Sequence, residues 1–351
     1  MVAMTPTSHE TLPCPIRDAC GGCPWMERDA ATQREAKEAA IARAVGRAPD
    51  AFLASPHATH YRARIRVTFA ASGTGYHRPR THDVTHIPAC AVARPEVNDA
   101  LARLHEALPP GTVRGLKDVE LRSNGERVIY AFRSLGKRGR PGKVHPALRA
   151  RLVALGWDAA LDGQVLSGDP SLSLTVGGIT HRLSSMTFYQ VNLEANALLV
   201  EAVGAAAKAL APEAMLDLYA GAGNLSLPLA AAGVPVTLIE REGAAMRDAR
   251  ATAAAHGIAV KTSAQAAERY RAGDHPFDVA LLDPPRSGAD GVVAELLKTR
   301  PRGILYVSCN PHTLGRDVRP ALKAGYRISA VTGFDFFPQT PHVETLCVLE
   351  R

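Results

Sequence analysis

The sequence predicts an α/β protein: a doubly wound, mostly parallel sheet fills the second half, behind a mainly antiparallel β domain and a short cysteine-rich segment. Three observations lead there. Across residues 61–182, alternating apolar and polar runs such as RIRVTF, VELRS and RVIYAF are broken by SGTG, SNGE and RPGK, the pattern of half-buried antiparallel strands joined by turns. After SSMTFYQVN, residues 184–192, short apolar runs alternate with Ala-rich stretches, as in βαβ units. The first residues, finally, carry three closely spaced cysteines among Gly and Pro. We therefore expect one domain over residues 1–185 and a second, Rossmann-like one over residues 186–351.

In chain order, CPIRDACGGC is too rich in Cys, Gly and Pro for regular structure. ERDAATQREAKEAAIARAV, residues 27–45, is built of helix formers with no Gly or Pro inside and predicts a helix. The β unit follows. In the second half NALLVEAVGAAAKAL predicts a helix, AMLDLYA a strand, LSLPLAAA a helix and VPVTLIE a strand, with FDVALLDPP, GILYVS and ETLCVLER as further strands. No internal repeat or low-complexity tract interrupts the series.

The 351 residues carry a formal charge of +7, unevenly spread. Residues 1–185 hold 25 of the 41 Lys and Arg and 17 of the 34 Asp and Glu, a balance of +8; the remaining 16 and 17 leave −1. RARIR (residues 62–66), HRPR (77–80) and KRGRPGK (137–143) are thus placed to meet a phosphate backbone, against the plain alternative of a solvated surface. No apolar run is long enough to span a bilayer, and MVAMTPTSHE lacks the charged and apolar regions of a secretory leader. A cytoplasmic monomer without structural disulfides is the expectation.

DLYAGAGNLSLPLA, residues 217–230, runs a strand into a glycine turn and a helix. Gly221 and Gly223 allow a tight turn and close backbone approach to a ligand, and Glu240 ends the next strand 19 residues after Gly221. That is the layout of a nucleotide-type site whose acid accepts from ribose hydroxyls, although Ser226 replaces the third glycine of the dinucleotide fingerprint. Asp283 ends the strand of FDVALLDPPRSG, and Cys309 stands just past GILYVS. Ligands of a doubly wound sheet collect at such C-terminal strand ends. DPP is similar to the Asp/Asn-Pro-Pro-aromatic loop of methyltransferases that act on exocyclic amines, but Arg286 replaces the ring, which points instead to a ring carbon as acceptor.

FYQVN, DLYAGAGNLSLPLA, LLDPPRSG, YVSCNPHTLGRD and DFFPQTPHVE, in that order, resemble the S-adenosylmethionine-dependent RNA uracil-5-methyltransferases, which methylate ribosomal or transfer RNA. The most specific element is SCNP with PHVE, Cys309 and Glu344 lying 35 residues apart. The resemblance implies that Cys309 adds to carbon 6 of uracil and that Glu344 takes the proton from carbon 5. It also implies that Gln190, Tyr219, Gly221, Gly223, Asn224, Glu240 and Asp283 line the S-adenosylmethionine site. Where the family has an Asp or Asn in a GDA-like pattern this chain has SAQAAE, which makes Gln265 the substitute. The chemistry suits the residues: a thiolate is a strong nucleophile near neutrality, and carbon 5 accepts a methyl group only once carbon 6 carries an adduct.

Cys14, Cys20 and Cys23 follow a CX5CX2C spacing and Cys90 follows in HIPAC, a set that either zinc or an iron–sulfur cluster takes. The ribosomal RNA members of the family carry a [4Fe–4S] cluster on this arrangement, so the resemblance implies the cluster, a structural role for it in the RNA-binding half, and 23S ribosomal RNA as substrate. Cys347, in TLCVLE, is left as a core residue. The alternatives are a transfer RNA uridine or RNA cytosine methyltransferase, or a non-catalytic RNA-binding iron–sulfur protein.

Overall fold

The computed structural model describes residues 14–136 and 142–351. Most of the KRGRPGK cluster, residues 137–141, lies outside them.

Eight strands form the larger sheet, in the order Ala51–Leu53, Arg327–Phe334, Glu344–Glu350, Gly303–Ser308, Val279–Leu282, Met215–Leu218, Val236–Ile239, Lys261–Ser263. Neighbours pair in parallel except Glu344–Glu350, which runs against both of its partners. The central strands are buried on both faces, so their sequences read as unbroken apolar runs. Alternate residues feed two cores. Met215, Leu281, Leu305 and Val348 pack under the helix Leu193–Leu210, whereas Leu216, Leu282, Tyr306 and Leu349 pack under the opposite layer.

Part of that opposite layer comes from the start of the chain. The helix Ala30–Val45, capped at its start by the Asp29 carboxylate accepting from the Thr32 N–H at 2.7 Å, buries Gln33, Lys37, Ile41 and Val45 against the second domain. After the left-handed Gly46, Ala51–Leu53 adds to the large sheet beside Thr332–Phe334. Spacing of four puts those buried side chains on one helix face, but two of them are polar, so composition gave no apolar stripe to read.

The β domain is a seven-stranded sheet in the order Val84–His86, Gly73–His77, Arg64–Ala70, Leu116–Ser123, Val128–Ser134, Ala159–Leu161, Gln164–Ser167, antiparallel except for one parallel pair. The helix Pro95–Ala107 covers it through Val97, Leu101 and Leu104. A separate hairpin, Leu172–Val176 with Ile179–Leu183, leads into residues 184–192 and the junction between the domains.

Candidate active site

A cavity of about 1060 Å³ opens at the junction and is lined by residues of both halves of the chain. The turn after Met215–Leu218 forms its floor. Tyr219, Gly221 and Gly223 all have positive φ, at 64°, 56° and 80°. Tyr219 is the one that pays for it, because left-handed backbone is disfavoured for any residue with a Cβ. Its hydroxyl donates to Glu268 at 3.0 Å. Gly221 has open space where a Cβ would stand, and its N–H donates to the Glu240 carboxylate at 3.0 Å. The other Glu240 oxygen accepts from the Glu242 N–H at 2.7 Å, so the acid is oriented by backbone and keeps lone pairs for a ligand. Gly223 does not line the cavity; a Cβ there would lie 2.6 Å from Leu227, so it is needed for helix packing.

Gln190 and Asn224 are wall residues, and Asn224 exchanges two 2.8 Å amide hydrogen bonds with Asn196, also in the wall. Gln190 is positioned from the β domain. The fully buried Arg122 donates to the carbonyls of Ser184, Ser185 and Thr187 and lies 4.8 Å from the Tyr189 ring, while the Tyr189 hydroxyl donates to the Ser123 carbonyl at 2.9 Å. Gln265 lies outside the cavity lining, and Ala267 and Glu268 from the following turn take wall positions.

Asp283, Arg286, Cys309 and Glu344 share one wall. Cys309 is the first residue past Gly303–Ser308, and Asn310 next to it caps the helix Pro311–Asp317 by accepting from the His312 N–H at 3.1 Å. Asp317 ties the neighbouring loop down: it accepts from the Ala289 N–H and the Tyr306 hydroxyl, each at 2.6 Å. Glu344 begins its strand, and the ladder pairs Ser308 with Thr345. One step further along that antiparallel register stand Cys309 and Glu344.

Their electrostatics reflect the proximity. Burial, reinforced by Glu344 and Asp283, pushes the Cys309 thiol up to about 11, with Arg286 pulling the other way. Burial and Asp283 hold the Glu344 carboxyl well above the usual carboxylate range, and its Oε1 has no hydrogen-bond partner among the described residues. Burial raises Asp283 to about 7 and Asp217, under the glycine turn, to about 8. At neutral pH Cys309 and Glu344 keep their protons, while Asp283 titrates.

Two arginines of the RARIR cluster reach the cavity. Arg62 and Arg64 of RARIR line the cavity together with Phe188 and Met186, two of the exposed large apolar side chains, and the Arg64 guanidinium sits 4.7 Å over the Phe188 ring. Arg66 instead pairs with Glu120 at 2.6 Å. The period-two alternation with buried Ala63, Ile65 and Val67 was the available signal, since it puts all three arginines on one face.

Cys14, Cys20, Cys23 and Cys90 are half-buried free thiols. Burial raises Cys20, and Cys23 to about 12; each is raised further by the other cysteines of the set and lowered by Arg62. Among the described residues no three His, Cys, Asp or Glu side chains form a metal-binding group. No helix there is long and apolar enough to cross a membrane.

The parallel sheet, its glycine turn and the acid on the next strand define an S-adenosylmethionine-dependent methyltransferase fold. The methyltransferase small-domain family matches residues 191–304, and the tRNA (uracil-5-)-methyltransferase family matches residues 265–351. A 23S rRNA (uracil(1939)-C(5))-methyltransferase, RlmD, of Pectobacterium carotovorum is 32% identical over 95% of this chain and 79% of its own length. An RNA methyltransferase of Thermosynechococcus vestitus is also 32% identical, over 98% of this chain and 85% of that protein. The crystal structure of Pyrococcus abyssi tRNA (uracil-54, C5)-methyltransferase in complex with S-adenosyl-L-homocysteine shares the fold with a TM-score of 0.78, at 24% identity over 94% of this chain and 86% of that one. The chain belongs to the RNA uracil-5-methyltransferase family and is an S-adenosylmethionine-dependent enzyme.

Proposed function

We propose that the enzyme methylates carbon 5 of a uridine in 23S ribosomal RNA, with Cys309 as nucleophile and Glu344 as base. The observation that carries this is the ladder register, which brings a thiol and a buried carboxyl 35 residues apart onto one wall of the cavity. The RlmD relatives supply the choice of RNA. Bound S-adenosylmethionine offers an electrophilic methyl group on a positive sulfonium, and Gln190, Asn224, Glu240 and Asp283 are the residues that would hold it. Cys309, its proton passed to water as the cavity fills with this positive charge, would add to carbon 6 of the uracil; the electron pair of the double bond would move to carbon 5, which would take the methyl group while the pair of the broken C–S bond stays on the departing thioether. Glu344, as carboxylate, removes the proton from carbon 5; the double bond re-forms and the Cys309 thiolate leaves. The target base has to leave its stack to reach the thiol, and Phe188 under Arg64 offers a flat surface at the mouth for a neighbouring base.

Incubation with 5-fluorouridine RNA tests the reading. Fluorine cannot leave as a proton does, so a covalent complex should persist on denaturing gels, be absent in Cys309→Ala and form with 23S transcripts rather than transfer RNA. A folded, cofactor-binding preparation that yields no complex removes the reading.

The four N-terminal thiols fit an iron–sulfur cluster by donor chemistry: all are cysteine, all stand within each other's field, and Arg62 supplies a compensating positive charge. Binding would draw the side chains closer than they stand. Stoichiometric iron and sulfide in anaerobically purified protein support a [4Fe–4S] cluster, whereas zinc alone excludes it.

A further inference from the structure

The loop of residues 335–343 delivers Glu344 to the cavity; Asn192 donates to its Phe336 carbonyl, and a larger set of contacts comes from the N-terminal segment. The Gln33 side chain makes a closed pair with Gln339: its Oε1 accepts from the Gln339 N–H and its Nε2 donates to Gln339 Oε1, both at 2.8 Å. The same Nε2 also donates to the carbonyls of Trp25 and Arg28, and the Trp25 N–H donates to the Gln339 carbonyl at 3.0 Å. Lys37, one turn along the helix, donates to Asp335 and to the Phe337 carbonyl, and the Tyr61 hydroxyl donates to the Pro338 carbonyl. Gln339 is buried and has φ of 70°, a conformation a residue with a Cβ keeps only when its surroundings impose it. Five residues later Glu344 has one oxygen with no hydrogen-bond partner among the described residues, so its placement depends on backbone.

We infer that Gln33 is a positioning residue for the catalytic base: through Gln339 it fixes the loop that sets where the Glu344 carboxyl stands. The inference rests on Glu344 being the base. Trp25, two residues past Cys23, is part of the same clasp, so the cysteine segment also touches the methyltransferase half.

The test uses the full chain, RNA tritiated at uracil carbon 5, and three variants: Gln33→Met, Gln339→Gly and Glu344→Gln. Gln33→Met keeps the side-chain bulk, and Gln339→Gly accepts the left-handed backbone, so the two perturb folding differently. Both should bind S-adenosylmethionine and RNA as the parent does, release tritium on the order of 10- to 100-fold more slowly, and accumulate a methylated covalent RNA adduct, as Glu344→Gln does. If Glu344→Gln stalls at the adduct while both others partition as the parent, with or without a lower melting temperature, the positioning role is overturned. If Glu344→Gln itself turns over normally, the assignment of the base fails and this inference fails with it.

Discussion

Lys37 is fully buried, and its ammonium lies 2.5 Å from an Asp335 oxygen whose side chain is 15% exposed. At an effective dielectric of about 20 the attraction at that distance is about 7 kcal/mol, while stripping water from each ion costs several kcal/mol. Burial lowers the Lys37 pKa and raises that of Asp335 in spite of their attraction, so desolvation outweighs it on both sides. The pair therefore adds little net stability, but breaking it is expensive. Lys37→Met leaves a buried carboxylate and should cost about 3–5 kcal/mol. Adding Asp335→Asn should return most of that, less about 1 kcal/mol because the Phe337 carbonyl has lost its donor. Urea unfolding followed by Trp25 fluorescence in a Trp157→Phe background measures this unit directly, since Lys37 lies 5.9 Å from the Trp25 ring. A single-variant cost under about 1 kcal/mol, or a coupling in the double-mutant cycle under about 0.5 kcal/mol, would refute the reasoning.

Asp283, raised to about 7 by burial, must ionise to favour a cation, so S-adenosylmethionine affinity should rise up to about tenfold per pH unit from pH 6 toward 7 and level off above; calorimetry on Asp283→Asn should show weaker binding with a flatter profile. Asp217, raised to about 8, is neutral when folded and ionised when unfolded between those two ranges, so it costs stability increasingly as pH rises from about 4 to 8. Asp217→Asn should therefore narrow the difference between melting temperatures at pH 5 and pH 8. Gly315→Ala puts a Cβ 2.3 Å from the Ala44 carbonyl oxygen and should cost about 1–3 kcal/mol in chemical denaturation by prising apart the helices Pro311–Asp317 and Ala30–Val45. Cys347→Ala, in a fully buried site on the core side of its strand, should lower the melting temperature while adduct formation with 5-fluorouridine RNA proceeds at the parent rate.

Where local pattern determines structure, the sequence was readable. Strands of the central sheet announce themselves because both their faces are buried, and the acids and the thiol at their C-terminal ends follow from the rule that parallel sheets bind ligands there. The N-terminal helix shows where that stops. Its existence is a matter of propensity, but its destination depends on Gln33 and Lys37 meeting Gln339 and Asp335, contacts across 306 and 298 residues that no periodicity encodes. Gln265 shows the opposite case, a local turn that spacing alone does not predict. The turn after Lys261–Ser263 tightens into a short 3-10 segment, and the residues that reach the cavity come two and three positions later.

Glu344 could not have been found by the strand-end rule at all, because it starts its strand instead of ending it. It reaches the catalytic edge because Glu344–Glu350 is the one strand that runs backwards through an otherwise parallel sheet, so its first residue lies where its neighbours finish. The reversal does two things at once. It brings an acid opposite Cys309 by ladder register, and it makes that acid's position depend on the loop that turns the chain around. Crowded together in this way the Cys309 thiol and the Glu344 carboxyl hold their protons, and a cofactor carrying a fixed positive charge is the kind of ligand that would release them. The reversed strand is thus what lets a methyltransferase fold bring Cys309 and Glu344 to one wall of the cavity, the juxtaposition that the proposed nucleophile and base require.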